Sequence, residues 1–181
     1  MTRAVIYGPL EFLPEEKNMN VTELLLAQLE REARGTREAL RSFPVGRNDW
    51  KPHPKSMPFG TLAGLVATMP SWIALIVDAD ELDLATGTAP TPAESPEQLV
   101  EIHDRALADG RNALSKTNDD HLMTSWRLRF GDKVLDDRPR HLVIADTISH
   151  LAHHRGQLTV YLRLNDQPVP AIYGPSADTS W

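Results

Sequence analysis

Cysteine is absent from the 181 residues of this chain, which excludes disulfides and thiolate metal ligands. Any protein-bound metal would therefore need histidine, aspartate or glutamate. The chain also lacks an excess of positive charge: its formal net charge is −6, and no stripe of lysine and arginine is interleaved with aromatic residues. Because contacts to phosphate dominate the affinity for nucleic acids, we expect no nucleic-acid partner.

Long hydrophobic runs are missing as well. The opening residues 1–18 have no extended apolar stretch and do not resemble a signal peptide. No run approaches the roughly 20 apolar residues of a membrane span, so we expect a cytoplasmic protein with no membrane partner. The length and the apolar content of 41% suit one globular domain. We assign it to residues 19–181 and treat residues 1–18 as an N-terminal extension.

Helical periodicity is present in four segments, at residues 20–42, 56–80, 95–116 and 139–164. Pro70 lies inside the second segment and predicts a kink there. Ser95 and Pro96, followed by Gln98, form the clearest helix start, with a capping residue and a proline at the first helical position. The pattern predicts an all-α protein, a four-helix bundle with long connections before the third and fourth helices.

Two connecting segments carry turn chemistry. Residues 82–94 are rich in proline, threonine and alanine, which is typical of a loop. Residues 126–135 alternate in polarity around Gly131-Asp132, which favours either a short hairpin or an irregular crossover. We expect no substantial sheet.

The most informative residues for function are His150 and His154 in the fourth segment. Four residues apart on a helix, they share one face with Cβ atoms about 5–6 Å from each other, a spacing at which two imidazoles can bind one ion. Apolar residues such as Leu151 and Leu158 share this face and predict that both rings point into the interior. Two interpretations stay open: a metal site, or two core histidines that bond each other or the backbone.

Three sequence motifs indicate a family. The closing segment contains HHRGQL, YLR and VPAIYGPSAD, the entry to the second helix is WKPHPKSMPFGTLA, and the third helix contains IHDRALADGRNAL. Together they resemble the DinB/YfiT-like superfamily over about residues 18–178. The resemblance implies a four-helix bundle, usually a homodimer, with a divalent metal held by one histidine of the second helix and two of the fourth.

Residue by residue, the resemblance places the paired ligands at His150 and His154. The family's third histidine would fall two residues beyond Ala63, at Leu65, which cannot bind a metal. The implied zinc or nickel site is therefore incomplete, and its affinity is expected to be weak or absent. His103, on the flank of the third helix, is the best candidate to replace the missing ligand.

The resemblance also implies a function. Some relatives are metal-dependent enzymes that transfer low-molecular-weight thiols, which predicts thiol transfer to a small electrophile, or hydrolysis, with Gln157 or Tyr161 near enough to assist. Since the chain has no cysteine, the nucleophile would be a cofactor thiol or water. The alternative is a degenerate, metal-free bundle that acts as a binding or dimerisation module, which Leu65 favours.

Overall fold

The computed structural model describes residues 19–87, 93 and 95–180, so the N-terminal extension and part of the predicted loop lie outside the described residues. The described chain is mostly helical and contains one small sheet. Its helices are α1 (Val21–Arg41), α2 (Phe59–Thr68), α3 (Trp72–Asp78), α4 (Pro96–Lys116), α5 (Asp119–Leu122) and α6 (Arg140–Leu164). Its strands are β1 (Glu81–Asp83), β2 (Ser125–Phe130) and β3 (Lys133–Pro139).

The helix ends follow from local sequence signals. The side chain of Asn20 accepts a hydrogen bond from the backbone of Glu23 and caps α1. Ser95 caps α4 in the same way, as predicted. The predicted second helix is divided into α2 and α3 by a 3-10 turn, Met69–Ser71, because Pro70 cannot donate to the helical ladder.

The core lies where α1 and α4 pack against each other and against α2, α3 and α6. One apolar cluster surrounds Phe59 and Tyr161, and a second surrounds Trp126 and Ile144. Gly110 of α4 permits a close approach to the 3-10 turn, because a Cβ atom there would lie only 2.5 Å from the carbonyl oxygen of Pro70. The helices thus form one continuous packed unit.

The expectation of no substantial sheet was wrong. Strands β2 and β3 form an antiparallel hairpin whose two-residue turn contains Gly131 at a φ of +57°, a region that favours glycine. Strand β1, of which Leu82 and Asp83 belong to the predicted loop, pairs in parallel with β2, with Leu82 opposite Leu128. The hairpin interpretation was confirmed, and the third strand arises from a pairing between segments that are distant in sequence.

The C-terminal tail after α6 packs against the helices through Tyr173. Its hydroxyl donates to Glu32 of α1 at 2.7 Å and accepts from Arg155 of α6 at 2.7 Å. Arg155 also forms an ion pair with Glu32, with 2.6 Å between Nη2 and Oε2, and is only 2% exposed. An arginine on a bundle helix more often forms an ion pair at the surface, whereas Arg155 is buried with its partner.

The expectation that no segment approaches a membrane span needs correction. Residues Phe59–Asp78 are long and apolar enough by length and composition, with a mean hydropathy of 1.7. In the structure 61% of this segment's most apolar window is buried inside the protein, as in the core helix of a globular domain.

Candidate metal centre

The histidine pair lies on α6, one turn apart. The Nε2 atoms of His150 and His154 are 2.8 Å from each other, and the ring centroids are 4.6 Å apart. The two rings do not point into the core as predicted: His150 is exposed and His154 is half-buried. The buried face of α6 instead carries residues such as Leu151 and Arg155, so the histidines stand at the margin of the apolar stripe.

Hydrogen bonds fix the orientation of His154. Its Nδ1 atom lies 2.8 Å from Oε1 of Gln157, an amide oxygen that can only accept, so Nδ1 carries the proton. In the neutral ring the lone pair is then on Nε2, and it faces His150. The amide nitrogen of Gln157 in turn lies 3.1 Å from Nε2 of His153 and donates to it. Gln157 thus links two histidines and sets the tautomer of one.

The environment keeps His150 neutral. Although His150 is exposed overall, partial removal of its ring from water lowers the pKa below the usual range, and the neighbouring His154 and His153 lower the pKa further. A neutral imidazole is the form that binds metals. Two nitrogen ligands of a tetrahedral zinc ion, each about 2.0–2.1 Å from it, lie about 3.3 Å apart. The observed separation of 2.8 Å is that of a hydrogen bond, in which His150 Nε2–H donates to the lone pair of His154 Nε2. A shared ion would replace that proton and move the two nitrogens about 0.5 Å further apart.

A third protein ligand is not assembled beside the pair. Within residues 19–87, 93 and 95–180, no group of three or more histidine, aspartate and glutamate side chains is arranged to hold a metal. The described residues therefore offer two histidine nitrogens at this place and do not form a three-ligand catalytic site.

His103, the candidate replacement, lies elsewhere. It is fully buried in α4, and its Nε2 atom lies 3.3 Å from the carbonyl oxygen of Ala33 in α1. Its Nδ1 atom has no hydrogen-bond partner among the described residues. Burial is the largest cause of its lowered pKa. The structure thus places His103 at the α1–α4 contact and does not group it with His150 and His154.

Of the two residues expected to assist, only Gln157 contacts the pair. The hydroxyl of Tyr161 lies 3.3 Å from the carbonyl oxygen of Met57, to which it donates. His153, which the sequence analysis did not single out, also belongs to the network through its contact with Gln157. The spacings of three and four residues that separate Gln157 from His154 and His153 are the sequence signal that could have found the network.

The sequence profile of the DinB family matches residues 17–180. That is nearly the entire chain. The chain belongs to the DinB family. None of the curated proteins is similar enough in sequence to count as a match.

Three solved structures of DinB-like proteins have a similar fold. A DinB-like protein from Bacillus cereus gives a TM-score of 0.66 at 21% identity and covers 82% of this chain and 95% of its own. The DinB-like protein YjoA from Bacillus subtilis gives a TM-score of 0.64 at 15% identity, and the alignment covers 81% of this chain and 96% of YjoA. A protein assigned to the DinB family from Exiguobacterium sibiricum gives 0.57 at 20% identity, covering 82% and 93%. At these identities the similarity shows the shared fold.

Proposed function

We propose that this DinB family protein is a metal-dependent enzyme that acts on small molecules, built on a four-helix bundle. His150 and His154 would hold a divalent ion, zinc or nickel, and the reaction would be thiol transfer to an electrophile, or hydrolysis. The observation that carries this proposal is the 2.8 Å separation of the two Nε2 atoms. The hydrogen bond from His154 to Gln157 supports it, because it keeps the proton on Nδ1 and directs the Nε2 lone pair of His154 towards His150.

In this proposal each side chain has one task. A bound divalent ion would lower the pKa of a thiol or a water molecule bound to it. His150 and His154 would hold the ion through ring nitrogens, and Gln157 would keep His154 oriented by accepting the hydrogen bond from its Nδ1–H, as outer partners of histidine ligands do. The chain contains no cysteine, so a low-molecular-weight thiol or water would be the nucleophile.

The proposal includes Leu65 as the position of the missing third ligand. The helical run α2–α3 is antiparallel to α6, since the ring of Phe59 lies 5.6 Å from that of Tyr161 and the ring of Trp72 lies 6.0 Å from that of His150. Leu65 is about midway between Phe59 and Trp72 in sequence. It therefore lies at the height of the turns of α6 between Tyr161 and His150, which supports the assignment.

Metal titration tests the proposal directly. Protein purified without a histidine tag is titrated with Zn²⁺ or Ni²⁺ in a calorimeter, alongside the variants His154→Ala and Gln157→Leu. The control is His53→Ala, because His53 is exposed and lies outside α6. We expect one weak site per chain in the wild type and the control. Binding should be abolished by His154→Ala and weakened about 10- to 100-fold by Gln157→Leu.

Activity is tested on the metal-loaded protein with free cysteine as the thiol and 1-chloro-2,4-dinitrobenzene as the electrophile. We expect turnover in the wild type that is lost in His154→Ala and retained in His53→Ala. Metal binding without any transfer or hydrolysis would contradict the enzymatic part alone. Equal metal binding by wild type and His154→Ala would contradict the site itself.

A second candidate is a metal-free module that binds a partner or a second copy of itself. The observation that favours it is the absence of a third histidine or carboxylate beside the pair in the described part of the chain. In either case we propose a homodimer, on the strength of the family resemblance. Light scattering should give twice the 20.2 kDa of one chain. A dimer that binds no metal would favour the module.

A further inference from the structure

An apolar cleft of about 410 Å³ adjoins the histidine pair. Its walls come from α3, α6 and the sheet, with Trp72 and Leu75 from the first, His150 from the second, and Trp126 and Leu128 from the third. The volume falls within the range of small-molecule sites, about 300–1,000 Å³. The imidazole of His150 therefore belongs both to the candidate metal centre and to the cleft wall.

The two charged side chains of the cleft wall, Arg138 and Asp146, are paired with each other, and Arg138 also pairs with Asp136 outside the wall. Arg138 donates to Asp136 at 2.7 Å and to Asp146 at 2.8 Å. Both carboxylates raise the pKa of Arg138 above its usual range, through hydrogen bonds that stabilise its charged form. This arginine is thus already paired twice, and an anionic ligand would compete with two carboxylates for it.

The neutral polar groups of the cleft wall are either hydrogen-bonded within the protein or buried. The hydroxyl of Thr147 donates to the carbonyl oxygen of Val143 at 2.9 Å. The indole N–H of Trp126 has no partner among the described residues, but its nitrogen is buried, so it offers no donor to a ligand in the cleft. The cleft thus offers carbon surface and one imidazole. A charged or strongly polar ligand would lose its hydration there without compensation.

We propose that this cleft binds the uncharged, apolar part of the substrate, an aryl or alkyl group, and places the reacting end beside His150. Affinity would come from burial of apolar surface, about 25 cal/mol for each Å² removed from water. As a statement about substrate class this inference rests on the proposed function, while binding of an apolar molecule to the cleft is independent of any metal. The substrate class is therefore a small molecule with an uncharged aryl or alkyl group, and the cleft itself excludes anionic groups.

A pair of fluorescent dyes tests this proposal on the metal-free protein in EDTA. N-phenyl-1-naphthylamine is uncharged, and 8-anilinonaphthalene-1-sulfonate has the same ring system with an added sulfonate. We expect saturable binding of one uncharged dye per chain and at least tenfold weaker binding of the sulfonate. Energy transfer from tryptophan to the dye should accompany binding, since Trp72 and Trp126 line the cleft.

Leu75→Glu locates the binding site, with Leu24→Glu as its matched control. Both leucines lie on helices, and their exposed fractions are nearly equal, 45% and 46%, but only Leu75 lines the cleft. We expect at least fivefold weaker dye binding by Leu75→Glu and unchanged binding by Leu24→Glu. Both variants should keep the wild-type circular dichroism spectrum, because neither side chain is buried.

Three outcomes would overturn the proposal: no saturable binding of the uncharged dye, equal affinity for both dyes, or an equal effect of the two substitutions. A fourth is a change of molecular mass in Leu75→Glu alone, which would assign the cleft to a second copy of the chain. All dye measurements are made in EDTA on metal-free protein. A negative dye result would therefore not bear on the metal titration of His150 and His154. Failure of that titration likewise leaves the dye result standing.

Discussion

Arg155 of α6 and Glu32 of α1 form an ion pair that is buried on both sides, with 2.6 Å between the two charged groups and side-chain exposures of 2% and 10%. Arg155 also donates to the carbonyl oxygen of Glu32 at 3.0 Å. Tyr173 bonds to both residues and connects the C-terminal tail to them. Removing one member of such a pair leaves the other charge buried without compensation.

We therefore expect Arg155→Met to lower the free energy of unfolding by about 3–5 kcal/mol, measured by urea denaturation. The control is Arg41→Met, whose exposed pair with Glu38 has side-chain exposures of 50% and 46%. That substitution should change stability by less than about 1 kcal/mol. Similar losses in both variants would show that the burial of Arg155 does not carry the effect.

Truncation after Asn165 should lower the free energy of unfolding by more than about 1 kcal/mol, since it removes Tyr173 and its apolar contacts. Tyr173→Phe isolates the hydroxyl and should account for about 1–3 kcal/mol, because the buried Glu32 and Arg155 each lose a hydrogen-bond partner. Thermal melts of both variants check the prediction. An unchanged melting temperature on truncation would mean that the tail adds nothing to the fold.

Leu65→His should supply a third nitrogen to the histidine pair. Without metal the variant should lose about 1–3 kcal/mol if the new ring finds no partner. Zinc or nickel should raise its melting temperature more than that of the wild type, because a ligand of the folded state stabilises it by mass action. Leu65→Gln is the control for polarity. Equal metal-induced rises in Leu65→His and wild type would show that Leu65 is not the missing position.

Stability should fall in acid because of His103. Its pKa in the folded protein is lowered, chiefly by burial, so the unfolded chain binds the proton more readily. The stabilisation is complete above the ordinary histidine pKa of about 6.5 and is lost as the pH falls from there towards the lower folded pKa. The loss is at most about 1.4 kcal/mol for each pH unit.

Urea denaturation between pH 7.5 and 5, in EDTA, measures this slope. His103→Gln removes the titrating group and should flatten the slope while lowering stability at pH 7.5. His150→Ala controls for the other histidine whose pKa is lowered. A slope that His103→Gln leaves unchanged would rule out His103 as its source.

Local signals in the sequence predicted the helices. Ser95 with Pro96 marks the start of α4, and Pro70 marks the break between α2 and α3. Hydrogen bonds in a helix join residues four apart, so capping and breaking residues act on their immediate neighbours. The same local geometry predicted that His150 and His154 would meet, and the family motifs predicted the DinB family.

Local sequence signals could not predict the contacts between segments that are distant in the chain. Strand β1 forms by pairing Glu81–Asp83 with a strand more than 40 residues later in the chain. The partner of the buried Arg155 is Glu32, 123 residues away in sequence. The exposure of His150 likewise depends on how α6 is rotated against its neighbours, and helical spacing alone placed it in the core.

The sequence by itself thus determined the helices, the histidine pair and the family, because each depends on residues close together in the chain or on a recognisable motif. Only the tertiary structure decided which face of α6 is buried, where His103 lies and that an apolar cleft adjoins His150. These features depend on packing, in which the free energy of burying one side chain is set by neighbours brought together only when the whole chain has folded.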